Sequence, residues 1–206
     1  MGMYKPDFYL CKHFLSVYLE QRQLLPSQTN MVELGNQIID ERIRREFGIS
    51  TGPVAKSYFL SLGFKHTSID INGLDGALPI NLGQKIQDPK LLGQFDILTN
   101  HGTTEHVESD QYICWQNVHE LLKPRGLIIS FVPKAKEFFK DHCPWGYKKE
   151  FFPFLAEQLK YKTWFAAEIR VPEAWHGVLL AYVFEKEQEV LYNLDKDRFY
   201  SFIEHF

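Results

Sequence analysis

The sequence predicts an α/β fold, a mostly parallel sheet with helices on both faces. Three observations lead there. Short apolar runs of strand length alternate along the chain with runs of helical period, the pattern that strand–helix–strand units leave in a sequence. The early strand-length runs, 31–34 and 95–99, are largely apolar, as parallel strands buried on both sides are. The chain has 206 residues, 45% hydrophobic and 24% charged, a globular composition long enough for one sizeable core.

Residues 8–19 place Leu10, Phe14, Val17 and Tyr18 at helical spacing before the turn Pro26-Ser27-Gln28. Residues 31–34 read as a short strand ending at Gly35. Gly52-Pro53 opens a helix with the apolar face Val54, Ala55, Tyr58, Phe59 and Leu62, closed by Gly63. Residues 66–71 form a second strand, which ends in the turn-rich Asn72-Gly73-Leu74-Asp75-Gly76, and 95–99 a third, halting at Asn100-His101-Gly102. Ser109 or Asp110 caps a helix that buries Tyr112, Trp115, Val118 and Leu122. Pro124-Arg125-Gly126 turns into the apolar strand 127–132. Beyond the lysine-studded segment 134–149, Phe151, Phe152, Leu155 and Leu159 mark another helix. Strands near 163–171 and 177–184 follow, the second of them antiparallel. No repeat or linker divides the chain. One domain is expected over 1–206, with a helical cover 1–27, a core 28–185 and a tail 186–206.

Several classes are excluded. The longest apolar stretches, 126–132 and 177–184, fall far short of the ~20 residues of a membrane helix. The N-terminus lacks the basic start and apolar run of a signal peptide, and Pro6 stands where a myristoylation motif on Gly2 needs Ser or Thr. Three cysteines, Cys11, Cys114 and Cys143, without CxxC spacing argue against a disulfide framework or zinc ribbon and point to the cytoplasm. A net charge of −3, with no basic stripe interleaved with aromatics, gives no footprint for nucleic acid.

Ligands of open α/β sheets bind outside the carboxyl ends of the strands, near the point where strand order reverses. Here that rule selects 33–36, 70–72 and 100–102. At the first end Glu33 precedes Gly35, where a tight turn brings backbone N–H groups close to a ligand and a carboxylate suits a cationic group. The G-x-G-x-x-G of dinucleotide sites is absent, which disfavours a nicotinamide-dependent oxidoreductase. At the second end Asp70 either accepts both hydroxyls of an adenosine ribose or starts an Asx-turn with Asn72-Gly73. The insertion 37–51 lengthens the gap between Gly35 and Asp70, and its 40–46 charge cluster reads as a solvated helix face. At the third end His101, Glu105 and His106 do not fit the H-x-x-E-H spacing of zinc enzymes, so no metal site is expected.

Taken in order, Glu33-Leu34-Gly35, Ser68-Ile69-Asp70, Phe95-Asp96-Ile97-Leu98-Thr99-Asn100, Glu105-His106-Val107 and Leu122-Lys123-Pro124-Arg125-Gly126 resemble the motifs of class I S-adenosylmethionine-dependent methyltransferases. The match covers about residues 28–185. The resemblance implies a Rossmann-like, mostly parallel seven-stranded sheet with an antiparallel last strand, and S-adenosylmethionine as cofactor. It implies that Glu33, Gly35 and Asn36 surround the methionine moiety. Asp70 then holds the ribose, Ile71 and the pair Asn81-Leu82 touch the adenine, and Asn100, His101 and Gly102 line the sulfonium end. Three departures stand out: the later loop glycines are lost, Asn81 replaces an acid, and Arg125 replaces a glycine.

The implied reaction is methyl transfer to a small or medium acceptor, with alignment as the protein's main task. The alternative is a methyltransferase-like interaction module, catalytically weak or inactive. His101 and His106 are the histidines nearest the implied methyl group; the sequence shows no charge partner for either. His142, Trp145 and Tyr147 fall where this fold commonly covers an acceptor. The tail aromatics Tyr192, Phe199, Tyr200, Phe202 and Phe206 either cover the core or make a homodimer contact.

Overall fold

The computed structural model describes residues 2–137, 142–171 and 177–206. The elements run β1 (Gly2–Met3), α1 (Lys5–Arg22), β2 (Asn30–Leu34), β3 (Ile38–Ile39), α2 (Glu41–Phe47), α3 (Ala55–Ser61), β4 (Lys65–Ile69) and β5 (Phe95–His101). There follow α4 (Gln111–Leu121), β6 (Leu122–Pro133), β7 (Trp145–Tyr147), α5 (Phe151–Leu159), β8 (Tyr161–Val171), β9 (Gly177–Lys186), α6 (Lys196–Ser201) and β10 (Ile203–His205).

The central sheet has the order β4-β2-β5-β6-β9-β8. The first four strands are parallel to their neighbours, and β9 is antiparallel to both β6 and β8. The chain leaves β2 for β4 on one side and then crosses to β5 on the other. The strand order therefore reverses between β2 and β5, at Glu33–Gly35 and Asn100–Gly102.

Among the described residues the sheet has six strands, one fewer than the seven the resemblance implies. The stretch 77–94, where an edge strand would lie beyond β4, runs as turns and, among the described residues, makes one ladder bridge, Ile69 with Leu78. Pro79, Gly83, Pro89 and Gly93 interrupt it, and proline and glycine weaken strand pairing. β4 also stops at Ile69 rather than residue 71, because Asp70 already accepts the Asn72 N–H and begins the turn.

Alternation along the strands makes two cores. Val32, Leu98, Ile128, Leu180, Tyr182 and Phe184 face Trp115 of α4 and Phe151 and Phe152 of α5. Met31, Ile97, Leu127, Ile129, Ala181 and Val183 face Phe8 and Phe14 of α1 and Tyr58 and Phe59 of α3. Side chains two apart share a face of a strand, so neighbouring residues feed opposite layers.

Local chemistry sets the helix ends. In α1, Pro6 occupies the first turn, where its missing N–H costs nothing, and the Asp7 carboxylate reaches back to the Tyr4 N–H at 3.1 Å. Asp110, one of the two expected caps, accepts the Ile113 N–H at 2.9 Å ahead of α4. The charged insert behaves as read: in α2 only Ile43 is buried. α4 runs straight into β6, and buried Lys186 donates to the carbonyls of His119 and Leu122, each at 3.0 Å. Arg125 has φ +67°, the left-handed conformation that suits the glycine it replaces.

The tail folds back on the chain. β10 pairs with β7, and Tyr192 and Phe199 are buried against Tyr112. These two rings pack inside the protomer. Part of the segment expected near the acceptor, 138–141 with Lys140, lies outside the described residues. Among the described residues no helix is long and apolar enough to cross a membrane.

Candidate functional site

A cavity of about 570 Å³ opens at the carboxyl ends of the strands. Its wall comes from Ile69–Asn72 after β4, Ile80–Leu82 in the irregular stretch, and Thr103 with His106–Ser109 after β5. Four of the predicted site residues line it: Asp70, Ile71, Asn81 and Leu82.

Asp70 is the organising group. Its Oδ2 accepts the Asn36 N–H at 2.7 Å and its Oδ1 accepts the Asn72 N–H at 3.0 Å. A carboxylate offers about four lone-pair positions, so each oxygen keeps capacity for a further donor. The Asx-turn and the ligand role therefore coexist in one side chain. Ile71 is 69% exposed, an apolar face presented to the cavity. Leu82 is buried, and its carbonyl accepts from Asn117 of α4 at 2.8 Å, which pins the cavity floor to that helix. Asn81 Oδ1 accepts the Gly83 N–H at 2.9 Å, so its carbonyl serves its own turn.

Gly35, at φ +79°, turns the chain so that its N–H donates to Ile69 O at 2.7 Å. A Cβ there would lie 2.5 Å from Thr103 Oγ1 and 2.7 Å from Gln37 Nε2, so only glycine fits. Gln37 stands where the motif has its second glycine. Its Nε2 donates to Leu34 O at 3.2 Å and Thr103 Oγ1 at 3.0 Å, and Thr103 Oγ1 donates to Leu34 O at 2.7 Å. Protein side chains thus fill the space directly against Gly35. Asn36 latches the loop through its Nδ2, which donates to Asp75 Oδ2 at 2.5 Å.

The other predicted residues lie behind this wall. Asn100 is fully buried; it donates to Thr104 Oγ1 at 3.0 Å and Ser130 Oγ at 3.1 Å, and accepts from the Thr103 and Thr104 N–H groups. It shapes the loop that carries Thr103. Gly102 donates its N–H to Phe131 O at 2.9 Å. Glu33 and His101 are buried on the α1 side of the sheet. Burial pushes the Glu33 carboxyl well above its usual range, opposed by Lys56 and reinforced by Asp70. Its Oε2 lies 3.5 Å from His66 Nε2, whose imidazole burial and then Lys56 hold down to about 3.

Sequence reasoning did not single out Ile80, Thr103, Glu108 or Ser109 as wall residues. The signal present was the polar run directly after an apolar strand. His106 lines the cavity, is held down to about 4 by burial and then by His142, and meets the His142 ring edge-on at 5.1 Å. Tyr147 is a core residue: it is fully buried and donates to Gln111 Oε1 at 2.7 Å. Among the described residues no group of three or more His, Cys, Asp or Glu is arranged to hold a metal ion.

No family model and no curated protein matches the chain. Solved structures do. A 1,6-didemethyltoxoflavin-N1-methyltransferase from Burkholderia thailandensis, determined with 1,6-didemethyltoxoflavin and S-adenosylhomocysteine bound, is 16% identical at a TM-score of 0.51. The alignment covers 90% of this chain and 92% of that one. The N-methyltransferase NodS from Bradyrhizobium japonicum, in complex with S-adenosylhomocysteine, is 14% identical, with 84% and 85% covered and a TM-score of 0.49. A methyltransferase from Archaeoglobus fulgidus is 12% identical, with 84% and 93% covered and a TM-score of 0.48. The first of these likenesses shows that the chain has the Rossmann-like fold of S-adenosylmethionine-dependent methyltransferases.

Proposed function

We propose that this protein binds S-adenosylmethionine in the cavity at the strand ends and transfers its methyl group to a small or medium acceptor. The observation that carries the reading is Asp70: a carboxylate at the end of β4, fixed by two backbone N–H groups, with acceptor capacity left over. The two hydroxyls of an adenosine ribose are the matching donors. Ile71, Ile80, Leu82 and Val107 offer apolar surface to a flat base beside it.

The donor set therefore fits the adenosine half of the cofactor, which supplies an already activated methyl group when bound. What remains for the chain is to hold that group and align an acceptor with it, a contribution of several kcal/mol by proximity alone. The Gln37–Thr103 contact over Gly35 favours the second reading, a methyltransferase-like interaction module that binds the cofactor weakly or not at all. If such a module binds at all, adenosine binds as tightly as the whole cofactor.

Calorimetric titration with S-adenosylmethionine, S-adenosylhomocysteine, adenosine and, as a control, NADH separates these readings. The expected result is binding of the first two more tightly than adenosine, weakened about 100-fold in Asp70→Ala, since loss of two hydrogen bonds to a charged group costs about 3 kcal/mol. Equal affinity for adenosine and the full cofactors selects the module. No binding by folded protein at millimolar ligand overturns the methyl-transfer reading and leaves the interaction module.

A further inference from the structure

We propose that Gln37 and Thr103 form a gate across the crevice between the loops that follow β2 and β5, and that Gln37 sets how far a ligand held at Asp70 extends beyond its nucleoside part. This rests on the cofactor reading above and deepens it. The ligands the gate sorts are adenosine itself and adenosines with a long substituent on the ribose 5′ carbon, the cofactor among them.

The strand order reverses between β2 and β5, and open α/β sheets take their ligands in the crevice at that point. Here one residue from each side closes it. Gln37 follows the Gly35 turn beyond β2, and Thr103 lies two residues beyond β5. Gln37 Nε2 donates both to Thr103 Oγ1 and to Leu34 O, and Thr103 Oγ1 donates to the same carbonyl. The three groups make a closed ring of hydrogen bonds over the last residue of β2.

The cavity ends at this ring. Gln37 is wholly buried, and Thr103, 8% exposed, is the part of the ring that meets the cavity wall. Asp70 and Ile71 lie on the open side with Ile80, Leu82 and Val107, enough for a ribose and a flat base. Asn36 bonds to Asp70 through its N–H, so the Gly35 turn begins directly beside the ribose position. A substituent that leaves the ribose for the crevice has to cross that turn and meets Gln37.

The closure is built to break at one side chain. Gln37 O accepts the Ala55 N–H at 2.9 Å, and the Asn36 N–H is held by Asp70. The backbone is thus anchored on both sides of the turn, and only the Gln37 side chain has to rotate. Its amide is also half-satisfied: Oε1 is buried without a hydrogen-bond partner, as is Asn36 Oδ1 next to it. Native folds keep few such atoms. Turning the amide over does not relieve this, because Oε1 would then face the Leu34 carbonyl. A ligand that stops at the ribose leaves the gate shut. One that extends past it has to displace both hydrogen bonds from Nε2, a penalty of about 10- to 100-fold in affinity.

Calorimetric titration of the full chain with adenosine and with S-adenosylhomocysteine tests this in wild type, Gln37→Ala and Gln37→Met. The quantity read is the ratio of the two affinities. In Gln37→Ala, S-adenosylhomocysteine should bind about 10- to 100-fold more tightly while adenosine is unchanged. Unchanged adenosine binding also reports that the variant is folded with its Asp70 site intact. Gln37→Met keeps the bulk of the side chain and loses both hydrogen bonds, so it should shift the ratio in the same direction, and it decides the question if Gln37→Ala does not fold. An unchanged or smaller preference for S-adenosylhomocysteine in the variants overturns the gate alone. Binding of neither ligand to any of the three proteins overturns the gate together with the methyl-transfer reading.

Discussion

The two faces of the sheet both pack aromatic rings but treat their polar groups differently. Under α4, α5 and α6 the layer is aromatic: Trp115, Tyr147, Phe151 and Phe152 meet edge-on or tilted at 4.9–5.8 Å across several pairs. The polar atoms admitted there are largely paired with one another. Trp115 Nε1 donates to Tyr147 Oη at 3.3 Å, and Tyr147 in turn donates to Gln111 at 2.7 Å. Under α1 and α3 the strands instead carry Glu33, Ser68 and Thr99 in lateral register, all fully buried and without hydrogen-bond partners among the described residues. A face that stabilises needs complementary packing. A face that binds or reacts keeps groups whose partners are supplied by something else.

The largest expected effect lies on the aromatic face. Phe152→Ala removes a fully buried ring stacked on Tyr182 at 4.4 Å and should cost about 3–5 kcal/mol in urea unfolding. A cost under 1 kcal/mol, the level of a volume-conserving core swap, would mean this layer does not carry the fold.

Glu105, like Tyr192 Oη and Trp145 Nε1, is an exception on this side: a buried acid with one unpartnered oxygen close to the aromatic layer. Burial pushes its carboxyl up to about 8, opposed by its own backbone N–H. Between the ordinary carboxylate range and about 8 the folded state binds more protons than the unfolded state, so stability falls as pH rises across that window. Glu105→Gln should flatten that decline and gain a few kcal/mol at pH 8. The same decline in wild type and variant would assign it to another group. His66 and His106 act in the reverse sense: held neutral by burial, they lose stability as pH falls below about 6.5.

The smallest effect belongs to the polar face. Thr99→Val replaces an unpartnered hydroxyl by a methyl group of similar size and should be neutral or stabilising by about 1 kcal/mol. A loss above 2 kcal/mol, as expected for breaking a satisfied buried hydrogen bond, would show that the row Ser68–Glu33–Thr99 serves packing after all.

The contrast also sorts what could be read from the sequence. Strands showed themselves by apolar runs and their ends by glycine and asparagine, so Asp70 and Ile71 were selected from local pattern, whereas Asn81 and Leu82 came only from the family resemblance. Arg125 looked like a departure, yet the backbone there keeps the left-handed conformation of the glycine it replaces. The missing seventh strand was hidden because the expectation came from a family pattern, while Pro79, Gly83, Pro89 and Gly93 acted locally against pairing. Gln37 could be seen to replace a glycine, but not that its amide would bond Thr103 across the turn. That bond joins segments remote in sequence, which local pattern does not reveal.

The most direct test of the cofactor reading is amide hydrogen exchange of the intact protein with and without saturating S-adenosylhomocysteine. Binding in the cavity should slow exchange at 69–72, 80–82 and 103–109, the segments that form its wall, and leave the α5 and α6 region unchanged. Protection confined to other segments, or none at all, would contradict a cofactor site built around Asp70.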